Sequence, residues 1–184
     1  MALWIVPAAV AAALLVFFVL TFNRLVRLRN EAETGWANID VQLRRRTDLV
    51  PNLVETVRAY AAHESETFQR VTNARAAAQQ ASTPAAAAQA DVQLGGALNR
   101  LLAVSEDYPQ LRASENFLAL QQELADIEDK LAAARRYYNQ TVYRFNTVQQ
   151  SFPGVLVARP LGFREREFFG TDEREPVKVD FAAA

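Results

Sequence analysis

Cysteine is absent from the 184 residues, which excludes a disulfide framework and any thiolate metal or redox site. Histidine occurs once, as His63. His63-Glu64 looks like half of a metal motif, but a zinc site built on one imidazole would need carboxylates for every other ligand. The bland reading, a polar residue near a helix face, is the better one. Glycine is scarce, at six residues. Gly95-Gly96 has no following Gly-Lys-Ser/Thr and so makes no phosphate-cradling loop. Ser65, Ser105 and Ser114 lack a Gly-x-Ser-x-Gly setting, and a lone histidine leaves a Ser-His-Asp triad a poor fit. No sign of charge dominates: 20 basic residues stand against 21 acidic ones, so no strongly basic body argues for nucleic acid.

The most telling absence is local. Met1 to Asn23 contains no charged side chain, and Arg24, Arg27 and Arg29 follow at once. At 1.5 Å per residue, such a stretch crosses a hydrocarbon core of ~30 Å as one helix. Trp4 suits one interface and Asn23-Arg24 marks the other. Pro7 sits near the start, where first-turn amides are unpaired anyway. A cleaved signal peptide is the rival reading. It wants a basic segment first, and its small-residue site should follow the apolar run, whereas Ala8–Ala13 precedes Leu14–Leu20. A buried core helix is a weaker alternative at this length and position. The arginines after the span place the N-terminus outside and the body in the cytoplasm by the positive-inside rule. The expected setting is thus a membrane crossed once.

What is abundant is alanine, with Leu, Glu, Gln and Arg, the residues that lose least on entering a helix. Once the span is set aside, about 160 of the 184 residues remain, enough for one domain with a core. Leu25, Leu28, Ala32, Gly35/Trp36, Ile39 and Leu43 recur at three- and four-residue spacing, so the span should run on as a helix to about Thr47. Pro51 predicts a break or kink, with Asp48 as N-cap of a second helix over Leu49–Ala81. Leu53, Val54, Val57, Ala61, Phe68 and Val71 mark its apolar face. Thr83 and Pro84 read as N-cap and first residue of a third helix reaching Glu106. Its Ala/Gln-rich start, Pro84–Ala90, reads equally as a mobile loop. Gly95-Gly96 weakens this helix by ~1 kcal/mol per glycine and marks a kink or a close crossing.

Ser114 can cap the fourth helix, with Glu115 in its first turn. Phe117, Leu120, Leu124, Ile127, Leu131, Ala134, Tyr138, Thr141, Phe145 and Val148 form a seam ~50 Å long. It stops at Phe152-Pro153-Gly154. Beyond it, Val155-Leu156-Val157 reads as a short strand. Phe163, Phe168, Phe169 and Phe181 read as a tail docked on the bundle, because four phenylalanines do not suit a solvated segment. The expected architecture is all-α: an anchor over 1–23, an elongated antiparallel bundle of about four helices over 24–152, and an irregular aromatic tail over 153–184.

Candidate contact residues are arginines. Arg24, Arg27 and Arg29 flank the span and can touch lipid or a partner. Arg44-Arg45-Arg46 can meet headgroups or an acidic partner. It lies ~30 Å past the span, however, beyond a Debye length of ~8 Å, so pairing with a partner or within the bundle is the plainer reading. Glu115, Glu123, Asp126, Glu128 and Asp129 could do acid–base work. They oppose Lys130, Arg135 and Arg136, so a solvated salt-bridged face is preferred. Asn139-Gln140-Thr141 matches a glycosylation sequon within a packed seam and is taken as chance. Trp36, Tyr60, His63 and Tyr137 are the polar-aromatic groups for a pocket, should one exist between the helices.

Together these segments resemble the LemA family. The resemblance is carried by Phe22–Val26, Arg29-Asn30, Trp36, Ile39–Arg46, the specific run Asp48-Leu49-Val50-Pro51-Asn52-Leu53-Val54-Glu55, Tyr60-Ala61 and His63-Glu64. It continues through Tyr108-Pro109, Leu111, Ser114, Phe117, Leu120-Gln121, Leu124, Glu128, Ala134–Asn139, Asn146, Phe152-Pro153, Phe163 and Phe168-Phe169, nearly the whole chain. It implies a protein of the bacterial inner membrane with one N-terminal span, a short outside N-terminus and a cytoplasmic antiparallel bundle. Some members are associated with magnetosomes. It supplies no catalytic residue and no cofactor. The expected role is a non-enzymatic scaffold or adaptor whose partners are the lipid bilayer, other proteins and a second copy of the chain. The alternative is a sensor or ligand-binding module in an envelope response.

Overall fold

A computed structural model describes residues 5–170. The expected interfacial Trp4 and the tail residue Phe181 lie outside the described residues. Helix α1 runs over Ile5–Arg58, α2 over Ser65–Gln80 and α3 over Pro84–Val104. A 3-10 turn at Ser105–Asp107 leads to the short α4, Pro109–Arg112. Then come α5, Glu115–Gln150, and α6, Gly154–Ala158. Among the described residues there is no strand, and the all-α expectation holds.

The first 18-residue apolar window of α1 has a mean hydropathy of 2.7 and is not covered by the rest of the chain. By length and composition it can cross a membrane. Beyond Asn23 the same helix enters the bundle without interruption.

Pro51 does not end this helix, contrary to the sequence expectation, and Asp48 is no N-cap. A proline inside a helix lacks the N–H that should bond the carbonyl four residues back, here Thr47. That carbonyl is supplied from elsewhere: Arg75 Nε on α2 donates to Thr47 O at 3.0 Å. The freed acceptor is therefore satisfied and the helix continues. The break falls instead at residues 59–64, so the second helix begins at Ser65, not Leu49. Leu53, Val54 and Val57, expected on the second helix, are buried on α1.

Other local expectations divide. Thr83 Oγ1 accepts from the Ala86 amide at 3.2 Å, with Pro84 opening α3. The alanine-rich start is helix, not loop, because Ala87, Ala88 and Ala90 are buried. Ser114 occupies the N-cap position of α5 without a side-chain cap bond. Val155-Leu156-Val157 belongs to α6, not to a strand. Among the described residues no neighbouring strand is there to pair with, and local bonds serve instead: Val155 N–H donates to Ser151 O at 2.9 Å and Arg159 N–H to Val155 O at 3.2 Å.

The core is stacked in three layers along the rod. At the far end, Val50, Leu53 and Val57 of α1 meet Phe68 and Val71 of α2, Leu94, Leu98 and Leu101 of α3, Leu111, and Phe117 of α5. In the middle, Ala32 and Ile39 pack with Leu131, Tyr138 and Val142. Nearest the apolar arm, Leu25 and Leu28 meet Phe145, Val157 and Ala158. Helices α1 and α5 thus run antiparallel. Gly35 lets them approach closely: a Cβ there would lie 3.3 Å from the Tyr138 Cα.

Candidate functional site

Helix α3 packs on α2 and touches α1; it meets α5 through the shared far-end core and through an ion pair at Asp91. Asp91 is buried at 4% exposure on the inner face of α3, between Ala87, Ala88 and Leu94. A buried carboxylate needs partners, and it has two. Arg46 Nη1 of α1 lies 2.7 Å from Asp91 Oδ1, and Arg135 Nη2 of α5 pairs with Asp91 Oδ2. Glu128, half-exposed on α5, closes the ring: its Oε2 is 3.0 Å from Arg46 Nη1 and its Oε1 is 3.9 Å from Arg135 Nη1. The four charges alternate in sign and sum to zero. Gly95 eases the approach, since a Cβ there would stand 3.3 Å from Arg46 Nη2. Of the glycine pair only Gly95 faces the entering side chain, and α3 runs through both glycines as helix.

Long charged side chains hold α3 and α5 apart, and between them lies a groove of about 500 Å³. Its floor is the ion network. Val92, Leu98, Leu102, Leu124 and Ala125 also line it, together with the polar Asn99 and Gln121. Val92 is 75% exposed and Leu118, one α5 turn before Gln121, is 49% exposed.

A second construction lies at the other half of α5. Residues 163–170 form an extended strap laid antiparallel along it. Asn146 Nδ2 donates to Arg166 O and Asn146 Oδ1 accepts from Arg166 N–H, both at 3.0 Å. Asn139 does the same with Phe169, at 2.9 Å each way. Each side-chain amide thus pairs with a backbone amide as a neighbouring strand would. Gln149 Nε2 donates to Phe163 O and the Tyr138 hydroxyl to Glu167 O. Burial pushes the Tyr138 phenol up; the Arg166 cation works against this and Glu167 adds to it. Phe169 packs by Trp36, ring centres 6.1 Å apart, and under the Arg135 guanidinium. Phe163 sits between Phe22 and Phe145.

The arginines expected to act together have separate fates. Arg46 is inside the network. Arg44 pairs with Asp40 at 2.9 Å on the surface, and Arg45 is exposed. Arg24 and Arg27 are exposed at the end of the arm, while Arg29 lies 3.9 Å from Glu33 and over the Phe163 ring. The four pocket candidates do not converge. Trp36 lines a separate cleft of about 490 Å³ with Asp40, Leu43 and Arg44. Tyr137 is half-exposed beside Gly35. Tyr60 and His63 are exposed in the turn after α1, ~36 Å along the rod from Trp36 at 1.5 Å per residue. Among the described residues, no three metal-capable side chains cluster.

Fold and site together define a class: a helical bundle carried on an apolar arm long and apolar enough to cross a membrane. The pattern of the LemA family matches residues 35–181, and the chain belongs to that family. It is similar to the magnetosome protein MamQ of Magnetospirillum gryphiswaldense, 25% identical over 88% of this chain and 70% of that protein. It is likewise similar to magnetosome protein MamQ 2 of Paramagnetospirillum magneticum, 24% identical over 91% of this chain and 71% of that one. Protein LemA of Metamycoplasma hominis is 28% identical over 90% of this chain and 81% of its own length.

Sequence reasoning missed the network and the amide ladder as units. Both had a signal. Asp91 falls on the same three-and-four spacing as Ala87, Leu94, Leu98 and Leu101, so it is a charge placed in a seam. Asn139 and Asn146 are seven residues apart, on one helix face.

Proposed function

We propose that the chain is a non-enzymatic, membrane-anchored scaffold or adaptor that acts by helix-mediated protein contact, self-association included. The exposed Arg24, Arg27 and Arg29 after the arm favour a bundle on the cytoplasmic side of the inner membrane. The observation that carries the reading is the groove between α3 and α5. Its width is set by charged spacers and its apolar walls lack a covering helix among the described residues. A partner helix laid there would cover Val92, reach Leu118 just beyond the groove, and meet a floor whose charges sum to zero. A photo-crosslinking residue placed at Val92 or Leu118 in native membranes tests this. The expected product is a discrete adduct, either at twice the 20.5 kDa chain mass or with one other protein. Monomer alone at both positions refutes the scaffold.

A second reading, a sensor or ligand-binding module, draws on one observation. Arg135 Nε is enclosed at the groove floor with no acceptor among the described residues. This reading requires a small ligand that brings an acceptor. Binding would appear as a thermal shift that Arg135→Met abolishes.

A further inference from the structure

The end of the bundle beside the apolar arm is itself apolar. Residues 145–158 carry no charged side chain, and the run is bracketed by two cations, Arg144 and Arg159. Phe152 is 80% exposed, Leu156 62% and Leu161 46%. Exposed apolar groups gathered at one end of a rod call for a covering surface.

The antiparallel course of α5 brings this end back to the level of the arm. Phe152, Pro153 and Gly154 share a recess with Phe17, Thr21 and Arg24. Phe17 lies seven residues before Arg24, ~10 Å along the helix axis. The bilayer boundary then has two possible heights. Drawn at Phe17, it keeps the turn at 151–154 in water, but it leaves Phe18, Val19 and Leu20 in water too, each at least 43% exposed. Drawn at Asn23–Arg24, it covers those three residues and takes the turn in beside them. Apolar hydration decides for the second height.

We propose that Phe152, Leu156 and Leu161 form a lipid-inserted foot, entering the interfacial layer of the same bilayer that α1 crosses. Apolar side chains on such elements sink ~5–10 Å, to the boundary of headgroups and acyl chains. The flanking Arg144 and Arg159 carry the sign that anionic headgroups attract. With the span alone, the span and bundle could together spin about the α1 axis and tilt in the bilayer. A second attachment beside it fixes which faces of the rod are presented outward, the α3–α5 groove among them.

The inference rests on α1 spanning the bilayer, and the test separates the two claims. Because the chain has no cysteine, single-cysteine variants take a nitroxide label at one place only. Leu156→Cys, Leu14→Cys and Val92→Cys are each placed in the full chain and reconstituted in phosphatidylcholine–phosphatidylglycerol vesicles. All three positions are exposed on the protein, so the fold is not challenged. Collisions of each label with oxygen, which concentrates in lipid, are compared with collisions with a water-soluble nickel chelate. The foot predicts an oxygen-to-nickel ratio at Leu156 several-fold above that at Val92 and below that at Leu14. A ratio at Leu156 equal to that at Val92, with Leu14 lipid-like, overturns the foot alone. A Leu14 label open to nickel overturns the span and the foot together. A Leu156 label shielded from both reagents means that protein covers the site, and this also overturns the foot.

Discussion

Helix α5 holds a neighbour along each of its halves, and it does so by different chemistry. Its far half holds α3 through Asp91, Arg46, Glu128 and Arg135. Its near half holds the strap through Asn139, Asn146, Gln149 and Tyr138. Guanidinium–carboxylate pairs are long, so the first attachment works as a spacer and leaves a groove. Amide pairs are short and flat, so the second brings backbone against helix and leaves none. Spacing between elements here follows from the length of the polar groups that join them, while apolar burial supplies most of the stability on either side.

The comparison breaks hardest at Asp91. Removing one partner from a buried ion pair leaves uncompensated charge and costs more than the pair itself contributes. Asp91→Ala leaves Arg46 and Arg135 to share Glu128, which is half in water. The expected loss is about 3 kcal/mol, a fall in Tm of roughly 6–12 °C for a chain of this size. Amide exchange should rise along α3 and, in the strap, only at its Phe169 end, which packs under Arg135. A loss below about 1 kcal/mol would mean that α3 is held by its packing on α2 and that the ions are ornament on that contact.

The near half should lose less, and locally. Asn146→Ala removes two hydrogen bonds to the Arg166 backbone, about 2 kcal/mol at ~1 kcal/mol each. Limited trypsin digestion reports this directly, because Arg164 and Arg166 lie within the strap. Cleavage there should quicken while the Asp91 region and the global melting point change little. Equal acceleration at sites on α2 and α3 would show that the strap is part of the main cooperative unit.

Much of this architecture was legible in the chain, and the failures have physical causes. The α5 seam, the Thr83-Pro84 start and the uncharged arm follow from local rules of spacing, capping and length. Pro51 misled because a helix-breaking residue was judged by its own element, whereas the rescue comes from Arg75 on another helix. The α6 segment misled because three apolar residues fit strand and helix alike, and only the missing strand partner decides. Of the candidate site residues, Arg46 reads as pairing with a partner or within the bundle, and the bundle holds it; Trp36 reads as a pocket group. Their true neighbours, Asp91 and Phe169, lie on elements distant in sequence. Tyr60 and His63 were grouped with Trp36 by residue type alone, and rod geometry separates them.

The smallest effect is a pH dependence confined to the strap. The Tyr138 hydroxyl donates to Glu167 O at 2.7 Å, and burial raises its pKa above the ordinary value near 10. In the unfolded chain this phenol loses its proton first. Above about pH 10 the folded state therefore binds more protons than the unfolded state, and stability falls as pH rises. The bond's contribution is complete below the ordinary value and is lost as pH climbs through the raised one, because a phenolate cannot donate. Tryptic cleavage at Arg166 should thus accelerate in alkaline solution, beyond the protease's own pH response measured on the unfolded chain. Tyr138→Phe should cleave faster than the wild type at neutral pH and show no further alkaline step. An alkaline step of full size in Tyr138→Phe would assign the titration to another group and leave the strap's neutral amides as its whole attachment.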